Sequence, residues 1–156
     1  MALVRILVDG YSLLHAWPEI APGQPRHSAA AREELLSILG QYQDFNGTPI
    51  TVFFDGGGAP FGTPKVHSTR NLEILYSKAG RTADDMIERT AHRLKPYGEA
   101  LVVTNDFAER DMIIGMGHHY SSCENFIREI GNVLQDLRTE VERISRRERV
   151  QFKRPR

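Results

Sequence analysis

Cysteine is nearly absent: Cys123 stands alone among 156 residues, so no intrachain disulfide can form and a cysteine-rich zinc site is excluded. That scarcity fits a reducing, cytoplasmic setting. Long hydrophobic runs are missing as well. None approaches the roughly 20 residues needed to span a bilayer, and the opening run of MALVRILVDGYS is too short for a signal-peptide core and passes directly into an acidic turn. A soluble protein is expected. Internal repeats and low-complexity linkers are also lacking, and nothing marks a domain boundary within the folded part. The glycine run Gly56, Gly57 and Gly58 has neither the Lys-Ser/Thr ending of a P-loop nor the helix start of a dinucleotide loop. The histidines are scattered except for His118 and His119, and adjacent residues rarely chelate one ion from regular structure. Packing or surface roles are expected for them, with His15 packing locally near Trp17. Ser12, Ser121 and Ser122 have no base placed by spacing, so they read as caps rather than nucleophiles.

What the chain does have is alternation. With 40% hydrophobic residues, a chain of this length can bury about two-thirds of its unfolded surface in one domain. Residues 3–8, 50–54 and 101–104 are continuous apolar and β-branched runs, as expected of strands covered on both faces of a parallel sheet. Between them Ser28 can cap a helix bearing Leu35, Leu36, Leu39 and Tyr42, stopped at Asn46-Gly47. Thr82 can cap a second, with Ile87, Ala91 and Leu94 on one face and Pro96 and Gly98 beyond its end. Residues 106–116 read as a short third helix, Leu72–Tyr76 and 117–120 as further strands, and the chain from Ser122 onward as a long amphipathic helix whose first half packs and whose end projects. The repeated βαβ pattern predicts a doubly wound α/β sheet. The loop from 56 to 70, beside the sheet edge, reads as a substrate flap or as a plain surface excursion.

Acidic residues recur where the apolar runs stop: Asp9 after LVRILV, Asp55 after ITVFF, and Asp106 after ALVVTN with Glu109 and Asp111 behind it, joined by Asp84-Asp85 in TADDMIE. The ends of the strands are where an open α/β sheet binds its ligands. Gly10 behind Asp9 permits a sharp turn and close approach by a ligand. Hard oxygen donors suit Mg²⁺ or Mn²⁺, and clustered carboxylates repel one another unless a cation neutralises them. A cation there could activate water and stabilise charge on a phosphodiester. Each acid also has a structural role open to it: Asp84 and Asp85 suit a helix N-terminus, Asp106-x-x-Glu109 resembles a capping box, and Asp55 before glycines suits a turn. Neighbours on a helix point about 100° apart, so only one of Asp84 and Asp85 can face a site squarely.

The balanced total of 20 basic and 20 acidic residues conceals a polarity. Seven basic residues and one acid lie in 143–156, which leaves a body of charge −6 carrying a tail of +6. Such a tail is a solvated terminus or, if the body binds nucleic acid, a phosphate anchor.

The segments VDGYSLLHAWPE, ITVFFDG, SKAGRTADDMIERTAHRL, LVVTNDFAERD and SSCENF together resemble the NYN domain family in its YacP-like branch, related to PIN-domain nucleases. The resemblance runs over about residues 4–137. It implies a PIN-like three-layer α/β/α sandwich with a mainly parallel central sheet, over residues 1–142, and a basic helix end and tail over 143–156. It further implies metal-dependent cleavage of single-stranded RNA with one or two Mg²⁺ or Mn²⁺ ions, and possible association with the ribosome. By motif, Asp9, Asp84 and Asp106 match the family's acidic core, with Asp55, Asp85 and Glu109 as further candidate ligands. The first motif of the family usually reads Asp-Gly-Tyr-Asn, whereas position 12 here is serine; Ser12 is placed at the catalytic site with lowered activity, or a metal held through water, as the expected consequence. Arg81, Arg110, Arg146, Arg147, Arg149, Lys153 and Arg154 are the expected phosphate anchors. The alternative of another class is a catalytically weak or silent PIN-like module that binds RNA or a ribosomal partner. An aspartyl-phosphate phosphatase is disfavoured because Asp9-Gly10-Tyr11 lacks a second aspartate two residues on.

Overall fold

The computed structural model describes residues 3–56, 69–78 and 80–150 in full and the backbone of 151–153. The chain runs β1 (Arg5–Asp9), α1 (Gly10–His15), α2 (Ala29–Asn46), β2 (Ile50–Phe54), β3 (Leu72–Tyr76), α3 (Ala83–Leu94), a 3₁₀ turn (Lys95–Tyr97), β4 (Ala100–Val103), α4 (Phe107–Gly115), β5 (His119–Ser121) and α5 (Cys123–Lys153). Five strands form one sheet in the order β3-β2-β1-β4-β5, and every pairing is parallel. Continuous apolar runs form such strands because both faces are covered. Ile6 and Val8 meet the layer of α1, α2 and α5, whereas Leu7 between them meets α3 and α4. The α/β/α sandwich with a parallel sheet is thus as expected.

Local chemistry sets the helix ends. The Ser28 hydroxyl accepts from the Ala31 amide at the start of α2, and Gly47 closes it in the left-handed conformation at φ 84°. Thr82 and Asp85 form a reciprocal capping box at the start of α3. The six-residue α1 was not expected; Asp9 caps it and Ala16 ends it. It is too short to show a helical period, so Asp9-Gly10 reads as a bare turn. Between α1 and α2, the Arg26 guanidinium donates to the carbonyl oxygens of Leu14, Trp17, Ile20, Ala21 and Gln24. One cation thereby orders a loop that has no strand or helix of its own, a role no sequence pattern announced.

His118 is buried, accepting from the Ala100 amide through Nδ1 at 3.0 Å and lying 2.7 Å through Nε2 from the Ala91 carbonyl. It joins the end of α3 to the start of β4 and serves packing, as expected of the histidine pair. Cys123 is fully buried at the start of α5, where burial pushes its thiol pKa up to about 12. α5 covers the sheet with Cys123, Phe126 and Ile130, and Phe126 meets Tyr42 of α2 edge-on at 5.5 Å. From 138 to 150 it carries mostly exposed side chains, Val141, Ile144 and Val150 included. The helix is unbroken across 142, so the expected boundary there coincides with no interruption of the backbone. Among the described residues no helix is long and apolar enough to cross a membrane. The glycine-rich part of the 56–70 loop lies outside the described residues, and the expected flap with it.

Candidate active site

The strand order reverses between β1 and β4, because β2 and β3 extend the sheet on one side of β1 and β5 extends it on the other beyond β4. A crevice opens at such a switch point beyond the carboxyl ends of the strands. Asp9 is the last residue of β1, and Thr104, Asn105 and Asp106 follow β4 directly. Three helix starts converge on this edge. Asp9 is the N-cap of α1, Asp84 lies in the first turn of α3, and Glu109 lies in the first turn of α4. Helix N-termini offset part of the repulsion among three carboxylates.

One carboxylate oxygen from each of Asp9, Asp84 and Glu109 lies within 4.8 Å of the other two. Metal–oxygen distances of about 2.1 Å place two ligands of one ion at most about 4.2 Å apart, so a small side-chain shift closes the trio on a cation. Glu109 decides the character of the site. It is only 5% exposed, and neither of its oxygens has a partner in full hydrogen-bond geometry, although Asp84 and Thr104 lie close enough to act on its proton. A buried carboxylate without donors is costly unless it is protonated or bound to a cation. Burial first, and then the neighbouring Asp84 and Asp9, push its pKa up to about 9. Burial also raises the pKa of Asp9, opposed by hydrogen bonds from Ser12 and reinforced by the charges of Asp84 and Asp55. The donor set is all oxygen and the charge is excessive without a counter-ion, which fits a hard divalent cation.

Ser12 holds Asp9 in place. Its amide donates to Asp9 Oδ1 at 3.3 Å and its hydroxyl to Oδ2 at 3.0 Å. The hydroxyl therefore addresses the carboxylate itself.

The remaining acids divide by their hydrogen bonds. Asp85 accepts from the Thr82 amide at 3.4 Å and belongs to the capping box, leaving Asp84 to face the cluster. Asp106 is exposed and caps α4, its Oδ1 accepting from the amides of Ala108 and Glu109 at 2.9 and 3.2 Å. It is not one of the three clustered acids; Glu109, expected only as a further ligand, stands there instead. The capping-box pattern is half realised because the Asp106 amide donates to Thr104 Oγ1 at 3.1 Å. Glu109 has no call to fold back onto that amide and turns into the crevice. Asp55 is exposed and accepts from the Ser77 hydroxyl at 3.0 Å, close enough to raise the Asp9 pKa but outside the trio. Asn105, unremarked in the sequence, fastens the edge: its Oδ1 accepts from the Cys123 amide at 2.9 Å and its Nδ2 donates to Glu124 at 3.0 Å.

The expected phosphate anchors are spread out. Arg81 is exposed just before α3. Arg110 pairs with Asp111 at 3.1 Å and lies 4.9 Å from the Phe107 ring centroid. Arg146, Arg147 and Arg149 are exposed on the far part of α5; the Lys153 side chain and Arg154 lie outside what the structure describes.

A parallel α/β/α sandwich with a carboxylate cluster at its switch point is the architecture of a PIN-like, nuclease-type domain. The chain belongs to the YacP-like NYN domain family, whose model matches residues 6–155. It is 28% identical over 141 residues to the protein YacP of Bacillus subtilis (strain 168), covering 90% of this chain and 82% of that protein. Its fold is similar to the crystal structure of Rae1 (YacP) from Bacillus subtilis, with a TM-score of 0.75, 26% identity and coverage of 97% of this chain and 86% of the other. A point mutant of the same protein gives a TM-score of 0.77 at 27% identity, over 92% and 84% of the two chains. The family expected from the five sequence segments is the one found.

Proposed function

We propose that this protein is a metal-dependent endoribonuclease that cleaves single-stranded RNA at the Asp9–Asp84–Glu109 cluster, with Mg²⁺ or Mn²⁺ as cofactor. The observation that carries the reading is the buried Glu109 carboxylate, without a partner in full hydrogen-bond geometry, within reach of two more carboxylates. A bound cation would lower the pKa of an attacking water and stabilise charge on the scissile phosphate. The chain's own contribution is placement. Ser12 fixes the rotamer of Asp9, the capping box holds the first turn of α3 and with it Asp84, and Asp106 holds the first turn of α4 and with it Glu109. Asp55 and Asp106 assist from the rim. RNA as substrate is supported by the nuclease character of the family and by the basic residues outside the acidic crevice, which would compensate for its repulsion of a polyanion.

The Ser12 hydrogen bond also favours a second reading, a catalytically weak module that binds RNA or a ribosomal partner, because the hydroxyl is engaged with Asp9 rather than offered to substrate. Cleavage of an end-labelled single-stranded RNA in Mn²⁺, Mg²⁺ or chelator separates the two. The ribonuclease cleaves with either cation, stops in chelator, and loses about a hundredfold in rate on Asp84→Asn, the scale on which loss of one charge-stabilising group acts. Equal cleavage by wild type and Asp84→Asn would sink this site, and RNA binding without cleavage in either protein establishes the second reading.

A further inference from the structure

α3 packs against β1, β2 and β4. Along its other flank, beside the edge strand β3, lies a cavity of about 390 Å³. Four cations, Lys78, Arg81, Arg89 and Arg93, line it, and Leu75 and Met86 supply an apolar floor. Among the described residues no carboxylate lines this cavity; Asp85 and Glu88 border a neighbouring depression that shares Arg81 and Arg89 with it. All four cations are exposed, and the ion pairs among the described residues use none of them. Four like charges held together repel one another, Asp85 and Glu88 beside Arg81 and Arg89 offset part of that repulsion, and a polyanion relieves the rest.

The placement gives the groove a direction. Arg81, which lines the groove, stands three residues before Asp84 of the carboxylate cluster in the chain. From Ala83 to Arg93 a helical rise of 1.5 Å per residue spans about 15 Å, with Arg81 just before the helix and Arg89 and Arg93 on successive turns of one face. Guanidinium forks match phosphate oxygens in pairs, and the Leu75–Met86 floor offers a base an apolar surface. We propose that this groove is the binding track for the nucleotides of single-stranded RNA next to the scissile bond, with phosphates on Lys78, Arg81, Arg89 and Arg93 and a base laid on Leu75 and Met86. The proposal rests on the reading of the cluster as an RNA-cleaving site. A polymer is favoured over a free nucleotide because the lining cations run the length of α3, from Arg81 just before it to Arg93 in its last turn.

The test uses the full chain and a fluorescein-labelled single-stranded 12-mer RNA, with binding read by anisotropy in chelator across a salt series and cleavage read in Mn²⁺. Arg89→Gln/Arg93→Gln weakens binding about tenfold and lowers the salt slope by about 1.4, at roughly 0.7 per lost phosphate contact on a single strand. It raises the half-saturating RNA concentration for cleavage and leaves the rate at saturation unchanged. The control Arg128→Gln/Arg138→Gln, which removes two exposed cations from α5, moves these values little. Wild-type affinity and slope in the groove variant, an equal loss in the control, or no binding of RNA by the wild type each overturns the track. So does a glutamate-rich peptide that competes as strongly as RNA. Groove-dependent binding without any cleavage removes the ribonuclease reading and with it the track's place beside a scissile bond, keeping the groove only as an RNA-binding surface; cleavage with an unchanged half-saturating concentration overturns the track and keeps the ribonuclease reading.

Discussion

Gly10 stands between Asp9 and Tyr11, and a side chain there has nowhere to go. An added Cβ would lie 2.4 Å from Phe54 Cε1 and 2.6 Å from Cδ1. The Phe54 ring cannot step aside, since it is fully buried with Tyr11 at 5.0 Å and Tyr76 at 5.4 Å between centroids. Gly10→Ala is expected to cost about 1–3 kcal/mol by overpacking, read as a lower urea midpoint at unchanged slope, and an unchanged midpoint refutes the contact. The sequence suggested that Gly10 admits a ligand; the close neighbour is the core ring instead, a contact between residues 44 positions apart that no local pattern reveals. Glu109 was legible only as a candidate for the same kind of reason. In Asp106-x-x-Glu109 either carboxylate can serve the helix start, and the choice turns on whether the Asp106 amide is already satisfied. Thr104 Oγ1 satisfies it at 3.1 Å, which is a matter of one side-chain rotamer.

At the scale of elements, periodicity served well where the helix or strand was long. The Ser28 cap and Asn46-Gly47 stop of α2 stand as expected, and so do the Thr82 cap and the start of α5 just after Ser122. The last strand begins two residues later than expected, at His119, because Gly117 turns the chain at φ 89° first. The basic face along α3 escaped notice although Arg89 and Arg93 are in plain view, because a charge pair on a helix ordinarily marks only a solvated side. α5 carries a prediction of its own. Its 31 residues span about 46 Å at 1.5 Å per residue, and those from 138 to 150 are mostly exposed, so little of the described packing is lost when its end is removed. Deleting residues 143–156 is expected to leave the melting temperature within a few degrees of wild type. RNA binding should weaken and its salt dependence flatten. A salt slope equal to that of the full chain would end the case for a phosphate-anchoring tail and for a separate role of 143–156.

For the molecule as a whole, the crevice at the switch point couples folding to protons and, on the function proposed above, to cations. Folding brings Asp9, Asp84 and Glu109 within 4.8 Å of one another, an arrangement the unfolded chain does not maintain. The Glu109 pKa, near 4.3 in an unfolded chain, rises to about 9, and that of Asp9 also rises. Between those values the folded state therefore binds more protons than the unfolded one. Stability then falls as pH rises: the contribution is fully present below the unfolded pKa and is lost on the way to the folded one. In chelator the melting temperature should fall between pH 5.5 and pH 8.5, and Glu109→Gln, which has no charge to acquire, should lose most of that slope. A divalent cation competes with the same protons, so Mn²⁺ should raise the melting temperature more at pH 8 than at pH 5.5. At a hundred times its dissociation constant, a ligand that binds only the folded state adds about 2.7 kcal/mol. Thermal melts over this pH range, with and without Mn²⁺, measure both effects. A wild-type slope no steeper than that of Glu109→Gln would show that Glu109 does not carry the proton, and an equal cation effect at both pH values would place the cation away from the cluster.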